Sequence, residues 1–591
     1  PRTVEEAMQI AGRFSADNQP SVSSAQRIRR ALSASQPAQP MQLAYTQTQT
    51  GNATPALYIF NTTADDGGFV IVSADDRSRA ILGYTDNGHF DAGNMPDNLR
   101  FWLRMYASEI ASLSDNPIAN LKAAASSFSA TAAYTTYPTV APLLGQTAWG
   151  QGTPFNNLCP TKDGERCVTG CVATAAGQIM YYHKYPTRGQ DSYSYEWNNQ
   201  TLSADFANTT YDWANMLPNY NGNYTTTQAN AVATLMSHVG ISCDMNYDLS
   251  ANGGSGANSN VMMQSLINHF GYDMGIRVLP KDYMDETEML SVIAQDLQAN
   301  HPIFMSGRTT NDEGHAFVLD GMQSNGYVHI NWGWDGYSDG YFPISALDPS
   351  YQGTGGAASG QGFTEQVTAY IGIQPNQGNA AIPLIIADEI TLNSQTRLGR
   401  YDDISFSINP FQNAGVTQAE GKMVYIIYKD GAYYTTLISD ADYNLSPGYH
   451  YMTACYVFRS VSSLSAGNYD LSVGILPTNS STSYPILTKI ARGERRFPVT
   501  ITADSVFIGK GTVNLDGIAD TDFTQAMIID YTDGVNQNFL HLTLYTSDYT
   551  TTDDKHTVGS KLELGLVPSN RTSVVGTYRL SDIAEYGSMI S

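Results

Sequence analysis

The chain of 591 residues carries 31 Lys and Arg against 55 Asp and Glu, a formal net charge of -24 that repels phosphate backbones and anionic headgroups, which makes nucleic acid a poor partner. A hydrophobic share of 42% and an aromatic share of 11% exclude a largely disordered chain. The length exceeds the roughly 250 to 300 residues at which single cores stop growing, so three or four domains are expected.

Taken in chain order, Thr3 to Phe14 has helical spacing through Val4, Met8, Ile10, Ala11 and Phe14, followed by a polar connector rich in Ser and Gln. Ala56 to Phe60 and Gly68 to Val72 read as strands about the turn Asp65-Asp66-Gly67-Gly68. Leu99 to Leu113 reads as an amphipathic helix carrying Phe101, Leu103, Met105, Tyr106 and Ile110. Residues 1 to about 125 therefore predict a small mixed α/β unit with its own core. Ala123 to Thr139, uncharged and built mainly from small and hydroxyl residues, suits an exposed linker open to proteolysis. No uninterrupted apolar stretch is long enough to span a bilayer. The chain opens at Pro1 without a charged and apolar leader, so either it is cytosolic or an export signal was removed ahead of this numbering.

Five cysteines, Cys159, Cys167, Cys171, Cys243 and Cys455, are too few and too odd in number for a disulfide framework, although Cys159 and Cys167 could close a small loop. Metal-ligand spacing is absent, and no metal or organic cofactor is implied. From Cys171 to Lys184 there is no proline, and the apolar positions 172, 175, 176, 179 and 180 form one stripe, so a helix opens at Cys171 and stops before Pro186. Gly170 allows a tight entry, while His183 and Lys184 complement the far end of the helix dipole. A thiol at that end faces unpaired N–H groups that favour thiolate. Position alone leaves a reactive thiol and a buried structural cysteine equally open.

A thiolate nucleophile needs an imidazole within reach. His315 stands out because it heads a strand that runs into Asn325-Gly326 and returns through Asn331, Trp332 and Trp334, a hairpin from 315 to 334. Asn331 could orient the imidazole and the indoles could shield it; a tryptophan-rich structural hairpin fits the same residues. Gln151, upstream in a Gly-rich loop, could donate its amide to an oxyanion. The other nine histidines fall at helix ends, in amphipathic helices or in loops and strands and read as packing or surface residues.

Four segments in order resemble the streptopain family of secreted bacterial cysteine proteases: Gly150 to Asn156, Thr169 to Pro186, Gly314 to Gly321, and Asn331 to Trp334 with Ser338 to Phe342. The resemblance implies a papain-like fold, Cys171 as nucleophile, His315 as base and Gln151 in the oxyanion hole, with Trp332 beside the imidazole. Gly353 to Gly362 looks like the family's mobile loop. Phe69 to Ser78 with Ile81 to Tyr84 is similar to the family's inhibitory propeptide, which implies a latent zymogen that folds its own inhibitor against the site.

Past Asn376 short alternating strands separated by turn residues predict one or two antiparallel sandwiches, with a break near Pro498 to Asp504. Asp516, Asp520 and Asp522 read as a solvated acidic turn and not as a calcium loop. The expected organisation is α+β: a propeptide and linker over 1–135, a papain-like domain over 136–375, a β-sandwich over 376–500 and a second β-rich unit over 501–591. The expected function is a cysteine endopeptidase acting on proteins or peptides, secreted or at the surface of a bacterium. Two readings compete with it: a surface adhesin using the sandwiches, and an acyl transferase using the same dyad.

Overall fold

The computed structural model describes residues 1–17, 22–33, 36–49, 53–113, 136–308, 314–346, 366–451, 453–478, 480–489 and 491–509, and four short strands beyond (527–530, 541–544, 563–564, 578–579). Most of the expected linker, the Gly-rich segment 353–362 and the aspartates at 516, 520 and 522 lie outside the described residues. Among the described residues no helix is long and apolar enough to cross a membrane.

The chain begins with helices α1 (Val4–Ala16) and α2 (Ser24–Ala31), each opened by a capping box, from Thr3 with Glu6 and from Ser23 with Gln26. Four strands follow, β1 (Met41–Thr48), β2 (Pro55–Thr62), β3 (Phe69–Ser73) and β4 (Ile81–Thr85), and then helix α3 (Asp97–Ser112). Both α2 and β1 lie in the stretch that reads as a polar connector. β1 forms because β2 offers it a full ladder, from Met41 opposite Thr62 to Thr48 opposite Pro55.

The next region holds α4 (Cys171–His183), α5 (Thr226–Ser242), α6 (Ser259–Asn268), β5 (Arg277–Pro280), α7 (Glu286–Gln298), β6 (Ile303–Arg308), β7 (Gly314–Met322), β8 (Val328–Asn331), β9 (Gly340–Phe342) and β10 (Gln366–Ile371). The Asn325-Gly326 turn joins β7 to β8 as expected, Gly326 at φ 82° donating to Gln323 O at 2.9 Å.

These two regions share one sheet of ten strands, ordered β1-β2-β3-β4-β9-β8-β7-β6-β10-β5. The seam is the pairing of Tyr84 in β4 with Tyr341 in β9, their rings stacked at 5.7 Å. The private core expected of the N-terminal unit is not seen: on one face Phe14, Phe60, Val72 and Tyr84 pack under α1 together with Tyr327, which precedes β8. On the other face Phe101, Trp102 and Tyr106 of α3 join Phe317, Trp332 and Phe342 in a single cluster. Helical periodicity in α3 marks a buried stripe but is silent about what buries it.

The C-terminal region is a sandwich with its own core of Ile404, Phe406, Tyr425, Val457, Leu471, Phe497 and their neighbours. A three-stranded sheet (Glu389–Leu392, Asp403–Asn409, Cys455–Ser460) faces a seven-stranded one. The break expected near 498–504 is not a boundary. Arg496–Ile501 and Ser505–Ile508 pair as a hairpin inside the larger sheet, so the turn residues at 502–504 reverse the chain within one domain.

Candidate active site

Helix α4 starts at Cys171 because Gly170 adopts φ 87°, where a side chain would also meet the Met245 sulfur at 2.8 Å and Ser255 O at 2.9 Å. The helix ends at Lys184 in the left-handed conformation, its ammonium 2.9 Å from the centre of the Tyr181 ring. His183 does not complement the dipole as a cation. Burial pushes its pKa down to about 4, and its Nε2 meets Ile373 O at 3.0 Å, so it serves as a neutral packing residue.

Cys171 is partly exposed and lies against β7. Burial raises its thiol pKa above the ordinary value; the N–H groups of Ala316, Val172 and Cys171 itself pull it down, and the nearby Asp97 carboxylate adds to the rise. All five cysteines are free thiols, Cys159 and Cys167 included. Burial holds Cys159 protonated, with a pKa pushed up to about 12.

His315 heads β7 one residue before Ala316, opposite Gly307 in β6. The N-terminal unit holds its imidazole. Nδ1 is 3.2 Å from Asn98 Oδ1, and the ring sits 5.3 Å from that of Phe101. Asn98, 1% exposed, donates its amide to Ala316 O at 2.8 Å and Trp332 O at 2.7 Å, so one side chain ties the imidazole to both strands of the hairpin. Phe101 covers Gly307 so closely that a Cβ there would meet its ring at 2.1 Å.

The loop carrying Gln151 is fastened to the start of α4 at three points. Gln151 O accepts Thr169 N–H at 3.1 Å, Gly150 O accepts Thr174 Oγ1 at 3.4 Å, and Trp149 N–H donates to Gln178 Oε1 at 3.2 Å. Thr174 and Gln178, four residues apart on one face of α4, are both fully buried. A polar residue inside an apolar helical stripe was the signal for Gln178, and the same signal marks Asn98 in α3.

Asn331 does not take the orienting position expected of it. Its amide donates to Thr147 O at 2.8 Å and its Oδ1 accepts Gln178 Nε2 at 3.1 Å and Gly333 N–H at 3.0 Å, engaging it beneath α4. The two-residue alternation of β8 explains this, since Asn331 pairs with Val318, three positions along β7 from His315. Trp332 is fully buried, its indole donating to Ser338 O at 2.9 Å and its ring packed on Phe317, Phe342 and Trp102. Trp334 is half-buried. Below them Asp339 takes the Trp332 N–H at 2.9 Å, with burial pushing its pKa up to about 7. Burial works against a charge on His329, yet Asp320 at 2.6 Å raises its pKa. Among the described residues no cluster of His, Cys, Asp and Glu is built to hold a metal ion.

The Peptidase C10 family profile covers residues 149–342, and the profile described as Spi protease inhibitor covers residues 1–110. Streptopain of Streptococcus pyogenes is 36% identical over 339 residues, a match spanning 54% of this chain and 81% of that protein. The chain belongs to the peptidase C10 family. This peptidase is also 33% identical over 402 residues to the thiol protease/hemagglutinin PrtT of Porphyromonas gingivalis, covering 66% of its own length and 43% of that protein's. Among solved structures, a prointerpain A fragment of Prevotella intermedia is 33% identical, with a TM-score of 0.45 over 57% of this chain and 99% of that one. Active interpain A is 36% identical, with a TM-score of 0.36 over 42% and 100%. The molecule is thus a cysteine endopeptidase of papain-like fold, made as a zymogen with an inhibitor-type propeptide domain at its N-terminus.

Proposed function

We propose that this peptidase hydrolyses peptide bonds through a thioester on Cys171, with His315 as the proton-transfer partner and Gln151 completing the oxyanion hole. The reading rests chiefly on the packing of α4, which Cys171 opens, against β7, which His315 heads. The thiolate attacks the peptide carbonyl while Gln151 and the Cys171 N–H receive the oxyanion, donors worth about 3 to 4 kcal/mol each. As the intermediate collapses, the His315 imidazolium gives its proton to the leaving amine. Water then attacks the thioester with His315 taking its proton, and the carboxylic acid leaves as the thiolate is restored. Trp332 and Trp334 keep water from the imidazole's flank, while Asn331 and Gln178 hold the frame.

Latency follows from the same contacts. Asn98 fixing Nδ1 and Phe101 covering Gly307 support an intramolecular inhibitor that withholds the histidine from the thiol. Residues 1–135 would act as inhibitor and linker, 136–375 as the catalytic domain and 376 onward as accessory β-structure, in a protein exported by a bacterium. The substrates are proteins or peptides.

The test is labelling of Cys171 with an iodoacetamide or epoxide probe, before and after limited proteolysis of the full chain. Slow labelling, two fragments and then fast labelling with rising peptidase activity are expected. Cys171→Ala should abolish hydrolysis and keep the fold; surviving hydrolysis in that variant removes the assignment, and full activity of the uncut chain removes the latency.

A further inference from the structure

Near the C-terminal end of α3, far along the helix from Asn98, Glu109 is 3% exposed and every contact its carboxylate makes across the interface is to the catalytic domain. Oε1 pairs with Lys281 Nζ, while Oε2 accepts Ser345 Oγ at 3.0 Å and Ala346 N–H at 2.6 Å. The Lys281 side chain is 19% exposed, with its ammonium also against Met105 of the same propeptide helix. Next to it, burial raises the pKa of Asp282 against the pull of Lys281 and of Lys489 and Arg492 of the sandwich.

Removing the propeptide takes away the carboxylate and leaves its receptor standing. The ammonium then loses the buried carboxylate it pairs with, and the Ser345 hydroxyl and Ala346 N–H lose the acceptor they share. We propose that Lys281, Ser345 and the Ala346 N–H form a carboxylate-binding exosite, filled by Glu109 in the latent chain and offered, after processing, to a glutamate or aspartate of the protein substrate. The inference rests on the reading that the propeptide departs on activation. Eleven helical residues separate Asn98, at His315, from Glu109, which places the exosite about 16 Å from the imidazole. An extended peptide covers that distance in about five residues.

The probe is a set of fluorogenic peptides with one cleavable centre and a single Glu or Gln moved from three to seven residues away on either side. Applied to the processed full-length product, a Glu about five residues out on one side should lower KM about tenfold relative to Gln at the same place, with kcat little changed. Lys281→Met should bring that Glu-to-Gln ratio to about one, and Ser345→Ala, a milder change, should reduce it about threefold. Glu109→Gln should speed probe labelling of the uncut chain, while its processed product has the wild-type sequence and keeps the full ratio. A glutamate preference that is absent at every position, or that survives Lys281→Met, with latency intact, overturns the exosite and leaves the latency reading standing. An uncut chain that labels as fast as the cut one overturns the latency reading itself.

Discussion

The catalytic domain has an attachment at each end, and the two are joined to it in opposite ways. The N-terminal unit shares its sheet through Tyr84 and Tyr341 and shares its core through Trp102, Phe317 and Trp332. Among the described residues the C-terminal sandwich keeps a closed core and lends the catalytic cluster only Val416 and the edge of Leu384, with the Tyr283 hydroxyl reaching Asp388 at 2.9 Å across the joint. The part that the proposed activation would discard is therefore the more intimately fitted of the two. An inhibitor must win against solvent and substrate at the cleft, so it needs a large apolar interface, whereas an accessory domain needs only to stay attached.

The hardest test of this contrast is Trp102→Ala. Removing an indole packed on Trp332, Phe317 and Tyr106 should cost about 3 to 5 kcal/mol and should lower the denaturation midpoint of propeptide and catalytic domain together. Phe406→Ala in the sandwich should cost a similar amount but move only a separate sandwich transition. A single transition responding to both variants would erase the distinction.

Next in size is Asn98→Ala. Loss of one hydrogen bond at the imidazole and two buried ones to the carbonyls of Ala316 and Trp332 should raise Cys171 labelling in the uncut chain by about tenfold or more, read as alkylation rate at fixed pH. The pH profile sharpens the same point. With burial and Asp97 raising the thiol pKa in the uncut chain, the alkylation midpoint should lie above the ordinary thiol value and fall once the propeptide is cut away.

His183 separates the domains by acid sensitivity. Its folded pKa is lowered by burial to about 4, so the stability it contributes is present above the unfolded value of about 6.5 and is lost as pH falls towards 4. His183→Gln should flatten that decline for the catalytic domain and leave the sandwich transition unaffected. The smallest effect is expected from Tyr283→Phe, a loss of one hydrogen bond to exposed Asp388 costing under about 1 kcal/mol and loosening only the sandwich joint.

Much of the site could be read from the chain because its parts carry local signatures. Gly170 before an Ala-rich stripe marks the helix that Cys171 opens, and Asn325-Gly326 between alternating runs marks the hairpin that His315 heads. What stayed hidden depends on neighbours distant in sequence. The polar face of β1 becomes a strand only through β2, Asn331 turns beneath α4 only because Gln178 and Thr147 await it, and α3 declares an apolar face without naming Trp332 as its partner. The turn at 502–504 misleads for the same reason, since a hairpin and a domain boundary look alike until the flanking strands are seen to pair.

One consequence follows from the shortness of β9. If the propeptide leaves as proposed, this strand would become the open border of the catalytic sheet, a row of unpaired amides of the kind that invites fibril growth. It spans Gly340 to Phe342 and is followed at once by Pro343, so it would offer another chain a far shorter template than a longer raw margin would.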